Sequence, residues 1–237
     1  MIIITSIAPV HLNDQKKAVD SWNNLGFKVY SLNNKKEIEV LKDEYKDVNF
    51  IETSRTMEKH FDKPVVQISA MLDFAKTLDH EYFLFVNSDI ELTDDYNIFE
   101  GVKKEMQSKV IIANRQDYGN DKNKHAIYHA GIDMFFIHKK FLNIYPQSMY
   151  ACGQCFWDYW IPFTAMKSGI DIALLQNVVG FHHKHELQYS HDNWFRIGRF
   201  FRWENLLYQF QDTQHGIGQM STYVHNLIYK TAIKLKV

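Results

Sequence analysis

Tyr82-Phe83-Leu84-Phe85-Val86-Asn87-Ser88-Asp89 is the stretch whose reading decides the fold. The apolar run is too short for a core helix. It suits a strand buried on both faces, and the polar triplet ends it. Upstream, Ile68, Met71, Leu72, Ala75 and Leu78 share one helical face, with Pro64 suited to a helix start. Before them lie a polar loop carrying Arg55, Lys59 and His60, a strand at Val48 to Glu52, a polar helix over 36–46 and a strand at Phe27 to Leu32. Ala18, Val19, Trp22 and Leu25 mark a helix stopped by Gly26, and residues 2–7 form a β-branched first strand. Strand and helix thus alternate, which predicts an α/β fold: a mostly parallel central sheet with helices on both faces.

Downstream, Val110 to Asn114 and Ile132 to Ile137 read as strands, the second with Asp133 inside it. Helix patterns follow near 138–144 and 157–168, the latter closed by Gly169. Asp171 to Val179 reads as a last strand leading into Gly180-Phe181-His182-His183-Lys184-His185. Residues 191–237 read as amphipathic helix. The expected organisation is one domain over 1–190 and a C-terminal helical extension over 191–237 packed on it.

Composition fits that picture. With 17 Phe, 13 Tyr and 5 Trp, a chain of 237 residues can fill a large core. Only 10 Gly and 4 Pro are present, and no Gly/Ser/Pro-rich linker separates two domains. The net charge is −1 with both signs interspersed, which argues against a general nucleic-acid binder. No segment is apolar for long enough to span a bilayer. Met1 to Ile7 lacks the basic flank and cleavage site of a signal peptide, and there are two cysteines, so a reducing cytoplasm is the expected location.

In a parallel α/β sheet, ligands bind beyond the carboxyl ends of the strands. The polar residues there are the ones to read. Asp89 of Asn87-Ser88-Asp89 can reach a divalent cation, and Mg²⁺ or Mn²⁺ held by one or two carboxylates neutralises a diphosphate leaving group. The alternative is an Asx turn that merely ends the strand. His182, His183 and His185 follow a strand, where imidazole is a common ligand for Mn²⁺ and its neighbours. Their alternative is a polar surface loop. Asp158, in Phe156-Trp157-Asp158-Tyr159-Trp160, sits among aromatics at a helix start, suited to take a proton from a sugar hydroxyl. Its alternative is a helix N-cap.

Cys152-Gly153-Gln154-Cys155 admits redox or zinc chemistry, and Cys152, Cys155, His182 and His185 compose a zinc-like set. The histidine spacing is tighter than usual for zinc and the central gap is long, which favours two ordinary buried thiols. Trp194, Phe195, Arg196, Arg199, Phe200, Phe201, Arg202 and Trp203 are suited either to weak membrane-surface contact or to packing on the domain. Glu204 and Asp212 dilute their charge and favour packing.

Taken together, Phe85-Val86-Asn87-Ser88-Asp89-Ile90, the segment Gly153 to Pro162 and Gly180 to His185 resemble the corresponding segments of GT-A-fold glycosyltransferases. The resemblance covers roughly residues 1–190. It implies that Asn87-Ser88-Asp89 stands where the family has its DxD, with Asn87 replacing the first Asp. It implies that Asp89 and one late histidine among His182, His183 and His185 hold Mn²⁺ or Mg²⁺, and that Asp158 is the base of an inverting transfer. Ala8, Pro9, Val10, Asn33 and Arg55, with Asn87, Ser88 and Asp89, would line the nucleotide. Asp133 would touch donor sugar or acceptor. The implied partners are a nucleoside-diphosphate sugar and a glycan or other hydroxyl acceptor. Two other classes compete. A nucleotidyltransferase would usually show a Gly-rich basic loop after the first strand, which Pro9-Val10-His11-Leu12-Asn13 is not. A non-catalytic nucleotide- or sugar-binding module is allowed by the incomplete DxD.

Overall fold

The computed structural model describes residues 1–185 and 190–237, and over 128–130 the backbone alone. The first half runs β1 (Ile2–Thr5), α1 (Leu12–Asn24), β2 (Lys28–Asn33), α2 (Lys35–Leu41), β3 (Val48–Glu52), α3 (Glu58–Phe61), α4 (Ile68–Thr77) and β4 (Tyr82–Val86). The second half runs β5 (Ile90–Leu92), α5 (Tyr96–Glu105), β6 (Val110–Tyr118), β7 (Ala126–His138), a 3-10 turn at Lys139–Ile144, α6 (Trp157–Lys167), β8 (Ile172–Leu175), β9 (Gly180–His183), α7 (His191–Glu204), α8 (Gln214–Thr231) and β10 (Ile233–Leu235).

The strands form one sheet in the order β10-β8-β6-β7-β4-β1-β2-β3, with β9 pairing β6 and β5 pairing β9. The expected mostly parallel sheet is present: β1 runs parallel to β2 and β4, β2 to β3, and β6 to β8 and β9. Two strands are exceptions: the long β7 is antiparallel to both β4 and β6, and the short β5 is antiparallel to β9.

Period-two alternation divides the core into two layers. Ile2, Ile4, Phe83 and Phe85 face one side with α4, α6, α7 and α8. Ile3, Leu84 and Val86 face the other with α1 and α5, where Ala18, Val19, Trp22, Phe99 and Val102 are buried. On α8, Ile217, Met220, Val224 and Ile228 form one buried stripe, as a helical repeat requires. At the crossing of α7 and α8, a Cβ on Gly198 would lie 2.4 Å from Ile217 Cγ2, so glycine is what allows the two helices to close.

The structure corrects several boundaries. The stretch expected as one strand over 171–179 ends at Leu175, and a separate strand, β9, begins at Gly180 and pairs with β5 and β6 instead. Pro64 lies before a short bridged segment, not at the start of α4, which begins at Ile68. The C-terminal segment is not helical throughout. Its last residues form β10, parallel to β8, and extend the sheet of the domain it packs on. Two basic residues of this segment are engaged within the fold: Arg199 forms a bidentate pair with Asp212, and Arg202 donates to the Phe210 carbonyl. No helix among the described residues is long and apolar enough to cross a membrane.

Candidate active site

The parallel strands deliver their C-terminal ends to one side of the sheet, and there a cavity of about 410 Å³ opens. That is the size class of small-molecule sites. Ala8 and Val10 after β1, Asn87, Ser88 and Asp89 after β4, Asp133 on β7, Asp158 on α6, and His182 and His185 all line it.

Asp89 and the two histidines converge. His185 Nε2 lies 3.1 Å from Asp89 Oδ2, His182 Nε2 lies 3.6 Å from the same oxygen, and the two Nε2 atoms are 3.1 Å apart. One ligand atom from each falls within a 4.8 Å group, which among the described residues is the one such cluster of His, Cys, Asp or Glu. Burial works to raise the Asp89 pKa, yet the hydrogen bonds and charges of His182 and His185 outweigh it and hold the carboxyl below its usual range. On its other side, His182 Nδ1 meets Asp117 Oδ1 at 3.0 Å. A carboxylate on Nδ1 fixes the orientation of the ring and aims Nε2 toward Asp89, the arrangement in which metal-ligating histidines are held. The donor set therefore fits a divalent cation. His11, in the left-handed region at φ 50°, stacks on His185 with ring centroids 5.0 Å apart.

Asp158 is not an N-cap. Helix α6 is preceded by Phe156 at φ 68° with no side-chain cap, and Asp158 stands one turn-position inside, its Oδ1 accepting from Tyr159 N at 3.1 Å. It is half-buried against the cavity beside Phe156, Trp157 and Tyr159. Burial, with the charge of Asp133 added, pushes its pKa up to about 8. A carboxyl at that value accepts a proton near neutral pH, where an ordinary aspartate would be a far weaker base. Trp194 of α7 and Ser221 of α8 reach the same cavity, so the C-terminal helices share in its wall.

Other residues expected at the site lie elsewhere. Asn33 is fully buried below it, its amide spent on the Ile7 carbonyl, Ser31 and Glu37. Arg55 is turned toward α4, pairing with Asp73 at 2.7 Å and with Ser69 and Gln147. Pro9 faces a neighbouring recess with Lys35 and Lys36. His183, the middle histidine, points from the strand face opposite His182 and pairs with Asp14 at 3.3 Å. The two cysteines are buried free thiols. Burial pushes Cys155 up to about 12 and Cys152 higher still, which suits neither redox chemistry nor metal binding.

Three residues absent from the sequence reading tie the elements around the cavity together. Gln15 of α1 is buried. Its Oε1 accepts from Ala8 N at 2.8 Å and Ser88 Oγ at 2.6 Å, and its Nε2 donates to the Ala8 and Val10 carbonyls, so it ties the loop after β1 to the end of β4. Arg115 and Asp117 stand two apart on β6. A signal existed for each: Gln15 is a polar residue on the Ala18–Val19–Trp22 core face, and Arg115 and Asp117 are same-face charges within an apolar strand.

No protein-family model and no curated protein sequence matches the chain. Among solved structures, residues 1–349 of TarS from S. aureus superpose with a TM-score of 0.51 at 12% identity, covering 91% of this chain and 67% of that one. HddC from Yersinia pseudotuberculosis gives 0.44 at 11% identity over 77% of this chain and 89% of that one. A putative glucose-1-phosphate thymidylyltransferase from Bacillus anthracis, in complex with sucrose, gives 0.43 at 10% identity over 78% and 86%. At such identities the likeness concerns architecture. The chain shares with TarS 1–349 a mixed α/β architecture, a GT-A-like central sheet flanked by helices.

Proposed function

We propose that the protein is a cation-dependent glycosyltransferase that moves a sugar from a nucleoside-diphosphate sugar to a hydroxyl of a glycan or other acceptor, with inversion. The observation that carries this reading is the convergence of Asp89, His182 and His185 in the same cavity as a carboxyl, Asp158, tuned to about pH 8. Residues 1–190 would form the catalytic domain and 191–237 the extension that completes its wall.

Asp89, His182 and His185 would hold the cation, and two imidazoles in the set favour Mn²⁺ over Mg²⁺, which prefers all-oxygen surroundings. When bound, such an ion supplies Lewis-acid neutralisation of the departing diphosphate. Ala8, Val10 and Ser88, tied together by Gln15, would frame the nucleotide. Asp158 would take the proton of the acceptor hydroxyl as its oxygen bonds to the anomeric carbon and the bond from that carbon to the diphosphate oxygen breaks. General-base help of this kind is worth about 10²–10⁴-fold. A nucleotidyltransferase is the less favoured reading, because Ser6 to Asn13 contains no Gly, Lys or Arg to cradle a triphosphate.

The test is to incubate the purified protein with Mn²⁺ and a panel of nucleotide sugars, and separately with nucleoside triphosphates plus sugar 1-phosphates. Release of nucleoside diphosphate from at least one nucleotide sugar is expected. Pyrophosphate formation without it would replace glycosyl transfer with nucleotidyl transfer.

A further inference from the structure

Asn87 stands two positions before Asp89, where β4 ends, and its surroundings engage both ends of its amide. Asn87 Nδ2 donates to Asp133 Oδ1 at 2.8 Å. Its Oδ1 turns the other way, toward Cys152 Sγ at 3.7 Å and Gly153, where an added Cβ would come within 3.3 Å of it. The Asn87 side chain is thus boxed between β7 and the Cys152-Gly153 turn. Gly153 at φ 70° is the residue that lets the turn approach.

Asp133 is buried and has a second partner. Its Oδ2 receives Arg115 Nη1 at 2.9 Å, while Arg115 Nε donates to Asp117 Oδ1 at 2.8 Å. That same Asp117 oxygen meets His182 Nδ1 at 3.0 Å. The contacts form one continuous chain, Asn87–Asp133–Arg115–Asp117–His182, that links the end of β4 to the imidazole at the end of β9. The guanidinium is the hinge of this chain because its planar fork can serve two carboxylates at once, which an ammonium cannot do with fixed geometry.

We propose that Arg115 is the positioning residue of the cation site, holding Asp117 against His182 and Asp133 against Asn87, and that position 87 is an amide because it must donate to Asp133. Asn87 is then a strut of the site and not a lost ligand. The inference rests on reading Asp89, His182 and His185 as cation ligands.

It carries a counter-intuitive consequence. Asn87→Asp creates an Asp-x-Asp sequence, yet it sets two carboxyl groups 2.8 Å apart, where they either repel or share a proton. Repulsion displaces Asp133 from Arg115, and a shared proton cancels the charge that holds the guanidinium; either way Asp117 is loosened from His182. Substitutions of this outer kind typically lower metal affinity 10–100-fold. The exchange Asn87→Asp with Asp133→Asn restores the chain with the hydrogen bond reversed: the new amide donates to position 87 and offers its oxygen to Arg115.

The experiment is titration of Mn²⁺ alone into the full chain, followed by calorimetry and by the electron paramagnetic resonance of free Mn²⁺, with circular dichroism to check folding. The expected result is that Asn87→Asp binds Mn²⁺ at least about 10-fold more weakly than wild type and that the exchange variant recovers most of the loss. Wild type that binds no Mn²⁺ would bring down the cation-site reading and this inference with it. Wild type that binds, with Asn87→Asp equal or tighter, would overturn this inference alone, and so would an exchange variant that recovers nothing. Should Asn87→Asp fail to fold, a folded exchange variant with wild-type-like affinity supports the chain, and an unfolded or weakly binding one overturns it.

Discussion

Replacing Asp158 with Asn is expected to stabilise the protein while disabling it. The carboxyl has an ordinary value of 3.8 and is pushed up to about 8 by burial and by Asp133. A group whose pKa is higher folded than unfolded binds its proton more tightly in the folded state. Its contribution is fully present below pH 3.8 and is lost as pH rises toward 8. Each pH unit in that window costs about 1.4 kcal/mol. At pH 7, roughly three units above the unfolded value, the acid is therefore up to ~4 kcal/mol worse than a neutral amide, and at pH 5 about 1–2 kcal/mol worse. For a domain of this size, 1 kcal/mol moves Tm by about 2–4 °C. Asn preserves the shape and removes the ionisation. Thermal unfolding of both proteins in EDTA from pH 5 to pH 8 should show the variant's advantage growing by several degrees with pH. Its transfer rate should fall by about two orders of magnitude or more. A Tm difference that stays flat across this range would refute the raised pKa, and an active Asp158→Asn variant would remove Asp158 from the mechanism.

Other expectations follow from the same geometry. In wild type, kcat/KM should rise with pH along a limb that ends at or below about 8, because Asp158 must be ionised to act and a nearby cation can only lower its pKa; a pH-independent rate would contradict this. Gln15→Met should cost about 1–3 kcal/mol in denaturant unfolding, from the backbone groups of Ala8 and Val10 that it leaves unsatisfied. It should also weaken nucleotide binding, and an unchanged affinity would separate the loop from the nucleotide. Cys152→Ser combined with Cys155→Ser should leave metal content unchanged by elemental analysis; stoichiometric zinc in wild type that disappears in the variant would restore the zinc alternative.

The alternating first half of the chain was legible because β1 and β4 are dense apolar runs and α1 and α4 each carry one apolar stripe. Strand direction was not: the periodicity of Ile132 to Ile137 is the same whether β7 runs with or against its neighbours, and only its pairing with β4 and β6 decides. Ile233-Lys234-Leu235 read as helix with the rest of 191–237. Its strand state comes from β8, which is distant in sequence. For the site, position after a strand pointed to Asp89 and His182, and a helix start among aromatics pointed to Asp158; all three line the cavity. Position after a strand was the cue for other residues too. It failed for Asn33, whose amide is consumed by Ile7, Ser31 and Glu37, and for Arg55, which is held by Asp73. Such placement tells where a side chain begins, not which partner claims it. Gln15, Arg115 and Asp117 make contacts up to 73 positions apart along the chain, and no local motif encodes those.

The central claim is that Asp89, His182 and His185 hold a cation through which this cavity accepts a nucleoside diphosphate. The most direct measurement is the shift in Tm produced by a panel of nucleoside diphosphates with Mn²⁺ and with EDTA, for wild type and Asp89→Ala. A ligand at about 100 times its Kd stabilises by roughly 2.7 kcal/mol, a shift of several degrees in a domain of this size. The account predicts that at least one diphosphate raises the wild-type Tm by this order in Mn²⁺, with little effect in EDTA and none in Asp89→Ala. Equal stabilisation in Mn²⁺ and EDTA, or full retention in Asp89→Ala, would contradict it.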